Sequence, residues 1–170
     1  MTPTLLTPTM VGKPVSTEDL GAIQLLNRDI TVMLTLSPNG KPYLDKKIRE
    51  IVDAAVKHWQ DHGFGIWIFC HNTSGNFLGY AGLHKTKVEG EDEIELLYAL
   101  RSPYWGSGLA TQMAKVVMDV AFDQIELESV IAHTMTGNQR SVCVMERLGF
   151  LYEKDIEHAG LPHVLYRRES

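Results

Sequence analysis

ELLYALRSPYWGSGLAT, residues 95–111, reads as an apolar strand running into a glycine turn that opens a helix. Gly106-Ser107-Gly108 would gather bare backbone N–H groups at that helix's N-terminus. Unsatisfied donors and the helix dipole there favour an anion such as a phosphate or pyrophosphate. The GxxxxGK[ST] spacing of a P-loop is missing, and so is the third glycine of a dinucleotide fingerprint. Those absences argue against nucleoside triphosphates and dinucleotides. Taken alone, the turn is equally readable as a plain helix start.

Downstream, residues 108–124 read as a helix with Leu109, Met113, Val116, Val117, Val120 and Ala121 on one face. Residues 130–135 read as a strand, and 138–148 as a helix closed by Gly149 in the left-handed position. Two final strands, 151–156 and 163–168, are joined by a turn near Gly160-Leu161-Pro162. Upstream, 65–71 and 76–84 form a hairpin about Asn72-Thr73-Ser74-Gly75. A charged break at 85–93 separates that hairpin from the strand 94–100. Leu44, Ile48, Ile51, Val52, Ala55 and Trp59 make the apolar face of a helix ending before Gly63. Ser37-Pro38-Asn39-Gly40 is a loop, and Ser16 or Thr17 caps a short helix reaching about Arg28. The first extended segment, 4–11, is limited to an edge strand by Pro8. This order implies one α/β domain over 1–170, with a mixed sheet and helices on both faces.

The 170 residues are 44% hydrophobic and 22% charged, which suits one core and not two. A net charge of −5 offers no general footprint for nucleic acid or an anionic membrane. No apolar run approaches a membrane span, and MTPTLLTPTMVGKP lacks the basic and apolar regions of a secretory leader. Cys70 and Cys143 lack CxxC spacing and read as small buried hydrophobes in a reduced, cytoplasmic setting. No His/Cys cluster with metal-ligand spacing surrounds them.

Beyond the glycine turn come Asn138-Gln-Arg-Ser141 and then Glu146-Arg-Leu-Gly-Phe150. With PYWGSGLA, in this order, they resemble the GNAT acetyltransferase superfamily, in its RimJ/RimL-like branch of ribosomal-protein Nα-acetyltransferases. The resemblance extends over essentially the whole chain. It implies a single mixed, mostly antiparallel central sheet of about six to seven strands with helices on both faces. It also implies acetyl-CoA as co-substrate, no metal, and a primary amine as acceptor, either a protein N-terminus or a small amine such as an antibiotic or polyamine. The pyrophosphate would lie on Gly106, Ser107, Gly108, Leu109 and Ala110, with Trp105 and Thr111 at the edges of that cradle. The pantetheine arm would pair with the backbone of Leu97, Tyr98, Ala99 and Leu100, freed by a bulge that splays the neighbouring strand. Asn138 would meet that arm from the other side, and Ser141 would lie near the thioester sulfur. Pro103 stands where members often carry Gln or Arg, and Thr4 and Thr7 stand near where Arg is frequent. Met145 stands where many members carry a tyrosine that protonates the departing thiolate, which leaves Ser141 or a bound water as acid.

Such a transfer needs a proton removed from an ammonium, two aligned substrates and a donor for the oxyanion. The backbone N–H of Leu97 or Tyr98 is the candidate donor. Glu95 is the candidate base, directly or through a water; its bland alternative is a solvated place in the acidic run with Glu91, Asp92 and Glu93. His84 and His133 are alternative bases. Trp105 would brace the turn, and Trp59 and Trp67 read as core or cleft-wall aromatics. The acceptor's walls would come from residues 20–44 and 151–168. A non-catalytic acyl-CoA-binding regulator on the same fold is the competing reading, because shape does not dictate function. The protein would act as a monomer or homodimer.

Overall fold

The computed structural model describes residues 4–170, so residues 1–3 of the segment read for a leader lie outside the described residues. Its strands are β1 (Leu5–Leu6), β2 (Met10–Pro14), β3 (Ile66–His71), β4 (Phe77–Val88), β5 (Glu91–Leu100), β6 (Ser129–Met135), β7 (Leu151–His158) and β8 (Leu161–Glu169). They form one sheet in the order β1-β2-β3-β4-β5-β6-β8-β7. Only β5 and β6 are parallel neighbours; the other pairs are antiparallel. The helices are α1 (Leu20–Asn27), α2 (Ile30–Leu36), α3 (Asp45–His62), α4 (Leu109–Asp119) and α5 (Gln139–Arg147).

The sheet has eight strands rather than six or seven because Pro8 divides the first segment instead of confining it to one edge strand. Thr7 closes that turn: its N–H donates to Met10 O, and its Oγ1 accepts from Met10 N–H, both at 3.0 Å. The charged stretch 85–93 is likewise no break. β4 and β5 stay paired from Lys85↔Ile94 to Val88↔Glu91 and turn at Glu89-Gly90, where both residues have positive φ. That is the twist a two-residue hairpin prefers, and the charges line the solvated faces of a two-stranded arm. At the last hairpin the turn is only Ala159-Gly160, so Leu161 and Pro162 belong to β8.

Strand alternation sets the layers. Leu96 joins Met113 and Val117 of α4 and Met145 of α5 in the main core, while Ala99 packs with Leu26 of α1 and Val32 of α2. Thus α4–α5 cover one face of β5 and α1–α2 the other. Leu44, expected on the buried face of α3, is 82% exposed because it is the N-cap and lies outside the helix. Ile48 and Val52 of that face are buried.

α2 has no counterpart among the expected elements. Its sequence, ITVMLTL, has no charged residue and a poor helical pattern, and one side chain anchors it. Asp29 Oδ1 accepts from Val32 N–H as the N-cap at 3.3 Å. The same carboxylate accepts from Ser102 N–H at 2.8 Å and Ser102 Oγ at 3.0 Å, just past β5. Burial alone would raise the Asp29 pKa, but these donors together hold it below the ordinary carboxylate value. At the opposite end of β5, Arg167 of β8 grips Glu93 at 2.6 and 3.0 Å and Glu153 of β7 at 2.8 Å, tying three strands. No helix among the described residues is long and apolar enough to cross a membrane.

Candidate active site

β5 and β6 share a single register pair, Glu95↔Ile131, and a cavity of about 620 Å³ lies between them beyond that point. This is the size of a small-molecule site. The splay does not come from the expected bulge, since β5 keeps an unbroken register with β4 from Glu91 to Leu100. Side chains bridge the gap where backbone pairing stops. Glu95 Oε1 lies 3.0 Å from His133 Nε2, both side chains being less than a tenth exposed. Tyr98 Oη lies 2.7 Å from Ser141 Oγ and donates to Ser141 O at 3.0 Å.

At the α4 end, Gly106 and Gly108 have φ of +86° and +78°, which suit glycine and strain any other residue. Gly108 is the N-cap and supplies no side-chain cap, so the first N–H groups of α4 are left without helical or capping partners. Trp105 braces the turn by donating its indole N–H to Leu100 O at 2.8 Å. Arg140, at the start of α5, lies 4.5 Å above the Trp105 ring and closes the cleft from the other side. The Trp105 bond takes the Leu100 carbonyl. Arg101 N–H donates to Leu78 O, so the alternation of the β4–β5 ladder turns the N–H and C=O of Leu97 and Ala99 toward β4. Of the four β5 residues expected to dock an extended arm, Tyr98 presents its backbone to the gap.

At the other end, His133, His158 and His163 form a ring cluster with centroids 4.6–5.3 Å apart. His133 Nδ1 is buried without a hydrogen-bond partner. Burial, and then the neighbouring His133 and His163, lower the pKa of His158 despite the opposing pull of Glu95. Among the described residues no group of three or more His, Cys, Asp or Glu is disposed to hold a metal ion.

The cavity is lined by every expected site residue except Ser107, which is exposed and donates its Oγ to Tyr104 O at 3.0 Å. Glu95 is buried on the cavity wall and not solvated with Glu91 and Asp92. The structure joins it to His133, whereas His84 is exposed and its ring lies 5.2 Å from His58 on α3. Asn138 caps α5 toward Ser141 N–H and donates to Thr134 Oγ1 at 2.9 Å. Met145 is fully buried in the core. Cys70 is half-buried, and Cys143 is exposed on the cavity-lining side of α5 rather than buried. The sequence left unread the Tyr98 hydroxyl and Arg140; α2, His158 and His163 fall within the stretches 20–44 and 151–168 expected as acceptor walls, without having been singled out. Only Arg140 carried a signal, through its place in the Asn138–Ser141 motif.

Residues 13–151 match the family model described as an acetyltransferase (GNAT) domain. The chain belongs to the GNAT acetyltransferase family. It is 28% identical over 125 residues to the protein YkkB of Bacillus subtilis, covering 74% of this chain and 73% of that one. It is 24% identical over 156 residues to the spermidine N(1)-acetyltransferase of Escherichia coli K12, covering 91% and 80%. The structure of RimL, a ribosomal L7/L12 α-N-protein acetyltransferase in complex with coenzyme A, superposes with a TM-score of 0.80 at 16% identity, covering 97% and 96%. This GNAT chain is therefore an acyltransferase, and family membership implies acetyl-CoA as its donor.

The donor fits the residues present. Besides the uncapped start of α4, Thr111 Oγ1 in that first turn is buried without a partner beside the cavity. A polyanion seated at the GNAT turn would meet free donors on both counts.

Proposed function

We propose that the protein transfers the acetyl group of acetyl-CoA directly to a primary amine in a ternary complex. The observation that carries this reading is the single cavity with an uncapped helix N-terminus at one end and the buried Glu95–His133 pair at the other. Backbone N–H groups of Gly106–Ala110 hold the pyrophosphate. The β5 edge that Tyr98 presents takes the pantetheine arm as an added strand, with Asn138 facing it across the gap. Glu95, paired with His133, removes the proton from the acceptor's ammonium so that the neutral amine can attack. Of the two expected donors, Leu97 N–H belongs to the β4 ladder, and the N–H of Tyr98 receives the developing oxyanion. In place of a tyrosine at Met145, Ser141 Oγ gives a proton to the departing thiolate and recovers one from the acylated nitrogen, which sheds its second proton as the tetrahedral intermediate collapses. Tyr98 supports Ser141: burial pushes its pKa up to about 12, so its hydroxyl stays neutral and remains a hydrogen-bond donor.

Saturating acetyl-CoA should raise the melting temperature, since a ligand at 100 times its Kd stabilises the native state by about 2.7 kcal/mol. Thiol release should then require an added primary amine. Without a thermal shift the donor reading fails. A shift with no thiol release across a broad amine panel favours the non-catalytic regulator instead.

A further inference from the structure

We propose that the acceptor is a small primary amine whose body is apolar and carries no second cation. This rests on the acetyl-transfer reading above and deepens it. The cavity is also walled by Val32, Thr35 and Leu36 of α2 and Tyr80 of β4, which pack along β5 near Ala99, and by His158 and His163 of the β7–β8 hairpin beside Glu95 and His133. α2 has no charged residue. Among the described residues that line the cavity, Glu95 is the only carboxylate, and its Oε1 is already engaged by His133 Nε2 at 3.0 Å.

The count of carboxylates decides between acceptor classes. A polyamine brings one or more ammonium groups beyond the one that reacts. Each loses hydration on entering the cavity and needs an anionic partner to offset that cost. Glu95 serves the reacting nitrogen, and no second acid waits for another. An alkyl or aryl group, by contrast, gains by covering Leu36 and the half-buried Tyr80 ring. Leu36 is 37% exposed at the rim, which leaves apolar surface for an incoming chain to bury.

The test compares kcat/KM for thiol release with hexylamine, phenethylamine, spermidine, and a short peptide whose N-terminal residue is phenylalanine. The two monoamines should exceed spermidine by at least about tenfold, the cost of one poorly compensated cation. Spermidine equal to or better than them overturns the proposal. A peptide about tenfold better than phenethylamine overturns the small-molecule assignment in favour of a protein N-terminus. Thr35→Asp then places a carboxylate on the proposed wall at an exposed position. It should move the spermidine-to-hexylamine ratio toward spermidine by about tenfold while leaving the acetyl-CoA thermal shift unchanged. An unchanged ratio places the acceptor elsewhere. If no amine releases thiol although acetyl-CoA binds, the transfer reading itself fails, and this outcome is distinct from a wrong preference.

Discussion

Glu95 is the proposed base, and its setting says what its removal should do. It sits at the one point where β5 and β6 still pair, so its carboxylate is fixed by backbone on one side and His133 on the other. Glu95→Gln preserves shape and a hydrogen bond to His133 but removes the proton acceptor. We expect kcat to fall by about 10²–10⁴-fold, the usual worth of a positioned general base. Acetyl-CoA affinity, read by titration, should change little because the pyrophosphate cradle at Gly106–Ala110 lies at the cavity's other end. Equal losses in kcat and in acetyl-CoA affinity would show that Glu95 holds the cleft together and does not drive the reaction. That Glu95 was a candidate could be seen from its strand. That its partner is His133 and not His84 could not, because His84 is its register partner on β4, yet points to α3.

Among the elements, α2 depends most on contacts distant in sequence. Seven residues rich in β-branched side chains make a marginal helix by propensity. Asp29 compensates by capping α2 and accepting two hydrogen bonds from Ser102, 73 residues away. Asp29→Ala should therefore cost about 1–3 kcal/mol in urea unfolding, through the lost cap and the unpaired Ser102 donors. Because α2 lines the cavity where the acceptor is proposed to sit, the same variant should raise KM for the amine more than KM for acetyl-CoA. An equal rise in both would detach α2 from the acceptor site. α4 and α5 are the opposite case. Their apolar faces and their caps at Gly108, Asn138 and Gly149 are local features, and these helices fall where their periodicity puts them.

Across the whole molecule, acid should loosen the fold in two separate windows. His58 ties α3 to the sheet: its Nδ1 faces Phe64 O at 2.8 Å, and its Nε2 accepts from Lys85 N–H at 3.0 Å. Burial chiefly, with His84 and His62, lowers its pKa against the pull of the Phe64 carbonyl. His158 is shifted the same way. A histidine lowered in the folded state leaves stability intact above its unfolded value of about 6.5 and erodes it below, as the unfolded chain takes up the proton first. Asp29 and Glu153, both lowered, keep their contribution until the pH falls below about 4. The melting temperature should thus decline from pH 7 to 5, before the carboxylates titrate. His58→Gln should flatten that first decline; a slope identical to the parent's would remove His58 as its source.

What could be read along the chain was whatever is written in neighbouring residues. The glycine turn after an apolar strand, the caps and faces of α4 and α5, and the Asn138–Ser141 and Glu146–Phe150 segments are all of this kind. Together they were enough for the family and the layout of the sheet. The rest depends on residues that meet only after folding. The Glu95–His133 pair and the Tyr98–Ser141 contact span 38 and 43 positions, and no spacing rule predicts either. α2 and the charged β4–β5 arm gain their stability from partners outside their own segments, so local propensity misjudged both. The splay of β6 from β5 is likewise a property of two strands together, and it is this gap that opens a cavity from the glycine turn to the Glu95–His133 pair.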